Sequence, residues 1–262
     1  MSAPAKYLAL AGVGARRALG ERAALVGYCV FLGSVLFIFA RVWKLIGVAS
    51  PLPGVGPREL VWYLALAEWA VLSAPMVYLA VEADVRSGDI ACRLVRPVPY
   101  VGAQIAEALG EAAVRLLALG PSAFLFAWFF AGGLPADPRG LLLAPPLALL
   151  GSLLWVLSLV LIGLSAFWIV DTSPVYWIWQ KLGFVLGGLL FPLELYPEWL
   201  QRVARFTPFP NLCWAAGRSA FGFAPVEACA LFAQGVGWAT LLGLALYALA
   251  RRARARLVVN GG

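Results

Sequence analysis

Few residues of this chain could do chemistry, and their surroundings limit what that chemistry is. Glu68, Glu107, Glu111 and Arg115 lie inside long apolar runs, the last three at i, i+4 and i+8 of one expected helix. A charge held in hydrocarbon costs roughly 2.5–3.5 kcal/mol even on the gentler insertion scale, so each must face protein or water. Such residues either line a polar path through a membrane or pair with one another. Glu111 and Arg115 have the spacing of an ion pair along a helix, and pairing near an interface also suits Glu107. For Glu68 and Arg115 a translocation path and internal pairing stay open. The other concentration of charge is "EADVRSGDIACRLVRP", Glu82 to Pro97, with six charges in sixteen residues between apolar runs.

Several chemistries are excluded. The chain has no histidine, which removes His-ligated metals, His general bases and His-dependent triads together. The four cysteines (Cys29, Cys92, Cys213, Cys229) form no C-x-x-C pair, so neither a metal knuckle nor a redox motif is offered. They read as small apolar packers, with a Cys213–Cys229 disulfide as a weaker alternative. No G-x4-G-K-S/T loop is present to cradle phosphates, so the chain does not hydrolyse ATP by itself. No cofactor-binding or metal-binding motif is found.

The elements that position these charges are membrane helices. Of 262 residues, 63% are hydrophobic and only 13% charged, where a soluble domain is nearer half and a quarter. The net charge of +7 does not imply nucleic acid, because the basic residues sit at the ends of apolar runs and form no patch. About 20 apolar residues cross ~30 Å of hydrocarbon. The pattern predicts a single all-α integral membrane domain with six spans, near 23–44, 60–81, 101–131, 141–170, 175–195 and 226–250. Inner segments collect more basic residues, among them Arg16, Arg17, Arg86, Arg93, Arg96 and the run from Arg251 to Arg256, than outer ones such as Arg41, Arg58, Arg139 and Arg202. Both termini are therefore expected inside. Trp43, Trp62, Trp128, Trp199 and Trp214 then form an outer aromatic belt, and Trp168, Trp177 and Trp179 an inner one. The first twenty residues read as a helix on the inner surface, with Tyr7, Leu8, Ala11 and Ala15 toward lipid and Lys6 and Arg17 toward water.

In this topology Glu82 to Pro97 faces the cytoplasm. Ser87 can cap the Asp89 and Ile90 amides, and Asp89 suits the positive end of a helix. Pro97 stops that helix after about nine residues, ~13 Å. Asp89, Arg93 and Arg96 share one face, acid before base. Ile90, Ala91, Leu94 and Val95 form the other. An interfacial loop obeying the positive-inside rule and a docking surface for a cytoplasmic partner both fit this pattern.

Glu82, Gly88, Leu94 and Pro97 stand as E-x5-G-x5-L-x2-P after the second span. The fifth span runs into "GGLLFPLELYPEWLQRVARFTPFP", with Gly187, Gly188, Pro192, Pro197, Trp199 and Pro210, and the chain opens with "YLALAGVGARRALGERAAL". In this order the three stretches resemble the type 2 ATP-binding cassette exporter permeases, closest to their small members of uncharacterised substrate. The resemblance implies an N-terminal surface helix, a short cytoplasmic coupling helix at Glu82 to Pro97, and short outer or re-entrant helices between spans five and six. It assigns ATPase coupling to Glu82, Ser87, Gly88, Asp89, Ile90, Arg93, Leu94, Arg96 and Pro97. It further implies a multi-pass protein of a bacterial-type inner membrane. Its partners would be membrane lipid, a second permease, identical or related, and two ATP-binding subunits that bind and use the ATP. A lipid, a hydrophobic drug or a glycan would suit its substrate path. The alternative is a self-sufficient secondary carrier or channel. The absence of inverted repeats and the shortage of buried ionisable residues weigh against that alternative, and an intramembrane enzyme ranks last.

Overall fold

The second apolar run does not fold as one rod. Pro75 has no N–H to give the preceding turn and its ring crowds it, so the run divides. The computed structural model places α3 at Pro57–Leu72 and α4 at Val77–Ser87. Ser73 closes α3 by donating its hydroxyl to the Trp69 carbonyl at 2.7 Å. The segment Pro57–Ser87 has 31 residues. At 1.5 Å per residue it would reach ~46 Å, well beyond ~30 Å of hydrocarbon, so α4 carries its last turns toward the aqueous side.

The structure describes residues 3–45, 55–94 and 98–260, with the side chains of Ala3, Leu94 and residues 254–260 outside that description; among the described residues every regular element is helical. α1 (Ala3–Gly20) and α2 (Arg22–Leu45) precede the broken pair. α5 (Asp89–Leu94) and α6 (Tyr100–Ala131) follow it. A 3₁₀ turn, Pro138–Leu143, leads into α7 (Ala144–Leu164), and α8 covers Ser173–Leu186. Two short helices, α9 (Glu198–Arg205) and α10 (Trp214–Arg218), precede α11 (Pro225–Asn260).

Among the described residues, five segments are long and apolar enough to cross a membrane: Arg22–Leu45, Pro57–Ser87, Tyr100–Ala131, Pro138–Phe167 and Pro225–Ala253. The expected span at 175–195 is different. α8 has 14 residues, ~21 Å, and ends where Gly188 adopts a left-handed φ of +64°. Expected short helices between this element and the last span are present as α9 and α10.

Burial separates centre from edge. In the α7 segment 83% of the most apolar window is buried, against 17% in α2 and 11% in α11. Every residue of α3 from Glu59 to Ala70 is buried as well. α3 and α7 therefore form the core, while α2, α6 and α11 turn Phe37, Ile38, Leu117, Phe129, Leu241 and Leu244 outward. Hydrocarbon selects this inversion, with apolar side chains outside and carboxylates within.

α1 corrects the sequence expectation for its faces. Tyr7 and Ala11, expected toward lipid, pack on α6, and only Leu8 of that group is largely exposed. The reason is a glycine at each side of the crossing. A Cβ on Gly14 would lie 1.8 Å from the Glu107 carbonyl oxygen, and one on Gly110 would lie 1.9 Å from that of Ala11. Backbones meet this closely only through small residues. Trp43, Trp62 and Trp214, expected in the outer belt, are buried, and the last two donate to the Gly133 carbonyl and the Glu194 carboxylate at 3.0 and 3.1 Å. The four cysteines are unpaired.

Candidate functional site

Helix α4 ends because Gly88 takes a φ of 80°, which costs other residues a Cβ clash and costs glycine nothing. The chain turns there into α5, and the Ser87 hydroxyl accepts the Asp89 amide at 3.3 Å. The result is an elbow, α4–Gly88–α5, held by two buried carboxylates. Glu82 forms an ion pair with Arg86 at 2.9 Å and accepts hydrogen bonds from the amide (3.3 Å) and the hydroxyl of Thr172. Thr172 is wholly buried and immediately precedes α8. Asp84 accepts from the Tyr100 hydroxyl at 2.8 Å and the Gln104 amide at 3.2 Å, and pairs with Arg93 at 3.1 Å. One carboxylate thus ties α4 to the start of α8, and the other ties α4 and α5 to the start of α6. Beside them the Ser173 amide, at 2.9 Å, holds the Asp171 carboxyl below its ordinary range.

The partner of Arg93 differs from the sequence expectation. It pairs with Asp84 rather than along α5 with Asp89, because Asp84 is buried and offers a stronger field than an exposed acid. Ile90 is likewise not presented outward: it is 2% exposed and packs into the core with Tyr78 and Tyr100. Asp89, Ala91 and Cys92 form the exposed side of α5. Of the remaining coupling residues, Arg96, Pro97 and the Leu94 side chain lie outside the described residues.

A second feature lies deeper. Helices α2, α3, α7 and α8 surround a cavity of about 470 Å³. Tyr28 and Phe31 from α2, Trp155 from α7, and Tyr176, Trp177 and Phe184 from α8 make its wall largely aromatic. Glu68 is the one Asp, Glu, Lys or Arg among the lining residues. It is 4% exposed and has no hydrogen bond or ion pair to any described residue. Two other lining residues hold an unmatched buried polar atom, Trp155 Nε1 and Gln180 Oε1.

Arg115 does not line the cavity. It pairs with Glu111 at 2.5 Å, reaches Glu21 at 3.8 Å, and lays its guanidinium over the Tyr28 ring at 5.1 Å. Its charge is matched behind the Tyr28 wall. Glu107 pairs with Arg17 at 3.5 Å. Of the four charges within apolar runs, three are paired and Glu68 alone has no partner among the described residues.

Elbow and cavity are connected. Besides the Glu82–Thr172 contact, Tyr78 of α4 stacks on Tyr176 of α8 with ring centroids 4.3 Å apart. Asp84, Tyr100, Gln104 and Thr172 hold the elbow to α6 and α8, and spacing along the sequence does not single them out. A signal existed for Asp84: residues 87 and 88 are Ser and Gly, so a helical acid there has no base one turn on and must find partners on other elements. Among the described residues no group of three His, Cys, Asp or Glu could hold a metal.

A family model described as ABC-2 family transporter protein matches residues 71–253, more than half of the chain, and takes in the elbow, α6 to α10 and most of α11. No curated protein and no solved structure gives a match.

Proposed function

The chain belongs to the ABC-2 transporter family, and on that premise we propose that it is the permease subunit of an ATP-driven exporter whose ATP-binding subunits dock on the elbow at Gly88. The observation that carries this reading is the pair of clamps at Glu82 and Asp84. A loop that merely satisfied the positive-inside rule would need no buried ties to α6 and α8. A helix that receives a push does, because displacement passes only through elements fixed to one another.

In the proposed cycle the exposed side of α5, Asp89, Ala91 and Cys92, meets the ATP-binding subunit. Movement of α5 reaches α6 through Arg93, Asp84, Tyr100 and Gln104. It reaches α8 through Glu82 and Thr172, and through the Tyr78–Tyr176 stack. Because α8 supplies Tyr176 and Trp177 to the cavity wall, the same movement reshapes the cavity. Two ATP-binding subunits and a second permease complete the transporter, in a bacterial-type inner membrane with both termini on the ATPase side. α8 and the turn after it serve as the sixth crossing. The ATP belongs to the partner subunits. The substrate is hydrophobic or amphipathic, which suits an aromatic cavity.

Co-purification of the ATP-binding subunit with the full chain tests this. Cys92→Asp puts a charge on the proposed contact while leaving both clamps untouched, and should abolish recovery of the ATPase. Arg139→Ala, at the loop between α6 and α7, should leave recovery unchanged. Undiminished recovery with Cys92→Asp would remove the elbow as the docking point.

A further inference from the structure

We propose that the cavity at Glu68 binds an amphipathic organic cation, with its apolar body against the aromatic wall and its positive charge at the Glu68 carboxylate. This deepens the exporter reading and rests on it for the ligand's passage, though not for its binding. Glu68 keeps a carboxylate at 4% exposure with no partner among the described residues. A buried charge without a partner is strongly unfavourable, and evolution can leave it so where something else supplies the opposite charge. The bases nearby do not supply it: Arg115 is matched by Glu111 and Glu21, and Lys181 is exposed and outside the lining.

The chemistry of the wall narrows the ligand. An inorganic cation would need several oxygen ligands, and Glu68 is the one carboxylate lining the cavity. An anion would meet Glu68 and no lining base. A neutral apolar molecule would fill the space and leave the carboxylate unmatched. Ring faces, in contrast, attract cations. Trp177 and Phe184 display this already, with the Lys181 ammonium 5.5 and 5.4 Å from their centroids. The cavity of about 470 Å³ suits a drug-sized body.

Tetraphenylphosphonium and tetraphenylborate have nearly one shape and opposite charge, so equilibrium binding of both to the purified full chain in lipid nanodiscs tests the assignment. The phosphonium should bind saturably. Glu68→Gln, which keeps the shape and removes the charge, should weaken it about tenfold or more, while Glu68→Asp retains most of the affinity. Trp177→Leu, which leaves the carboxylate in place, should weaken it severalfold. The borate should show no saturable binding to the unaltered chain. Equal phosphonium affinity in Glu68→Gln, or borate binding as tight as phosphonium binding, would overturn the proposal. The assay contains no ATPase, so it separates the two readings. Phosphonium binding without ATPase association keeps the cavity assignment and removes the exporter. ATPase association without phosphonium binding does the reverse.

Discussion

Glu82 and Asp84 at the elbow are each 6% exposed and Glu68 in the cavity is 4% exposed, yet the elbow acids are bonded to Arg86, Thr172, Tyr100, Gln104 and Arg93 and Glu68 to no described residue. The three groups share one chemistry and one degree of burial, so burial alone does not separate their roles. Satisfaction does. A carboxylate whose bonding capacity is filled by several elements fixes those elements to one another. One whose capacity is unfilled calls for an explanation, and the proposed ligand at Glu68 is one.

The largest predicted effect follows from breaking the filled site. Asp84→Ala leaves the Tyr100 hydroxyl and the Gln104 amide buried without their acceptor, a loss of about 3 kcal/mol. The Arg93 pair adds little, because that side chain is 39% exposed. Denaturant titration of the purified chain in detergent should show the loss, and a change below about 1 kcal/mol would mean the clasp is not a structural tie. Gly110→Ala comes next. It drives a methyl into the α1 backbone and should cost about 1–3 kcal/mol by the same titration.

Asp137 gives a smaller and local effect. It accepts from the Arg139 side chain and from the Phe223 amide at 3.1 Å, contacts that lower its carboxyl from the ordinary 3.8 to about 2. A depressed carboxyl contributes stability above its unfolded value and loses it as pH falls through the folded one. Exchange protection of the Phe223 amide should therefore hold above about pH 4 and disappear on acidification toward pH 2. Protection unchanged down to pH 2 would contradict the contact. The smallest effect is expected at Glu68, where Glu68→Gln breaks no bond and should leave denaturant stability undiminished. A marked loss would reveal a hidden partner and erase the contrast with the elbow.

Much of this was legible in the residues, and the parts that were not share a cause. Apolar runs of sufficient length marked five of the helices, and six charges between them marked the elbow. Ser87 marked the start of α5 by its capping chemistry. Pro75 was also visible, but a long apolar run hides the break it makes. The partners of Arg93 and Trp62, and the Thr172 partner of Glu82, lie on other elements, at sequence separations that spacing along one helix does not report. Pairing of Glu111 with Arg115 was readable because both sit on one helix, whereas the isolation of Glu68 depends on what α2, α7 and α8 fail to place beside it.

The central claim is that the elbow drives the cavity through α8, and Thr172→Val tests it most directly. Valine keeps the volume and removes the hydroxyl that holds Glu82, leaving the exposed side of α5 and the lining of the cavity in place. In a reconstituted complex with its ATP-binding subunits, tetraphenylphosphonium should stimulate ATP hydrolysis in the unaltered protein. Thr172→Val should still recover the ATPase and bind the phosphonium, yet lose most of that stimulation. Full stimulation in the variant, with association and binding intact, would contradict the account.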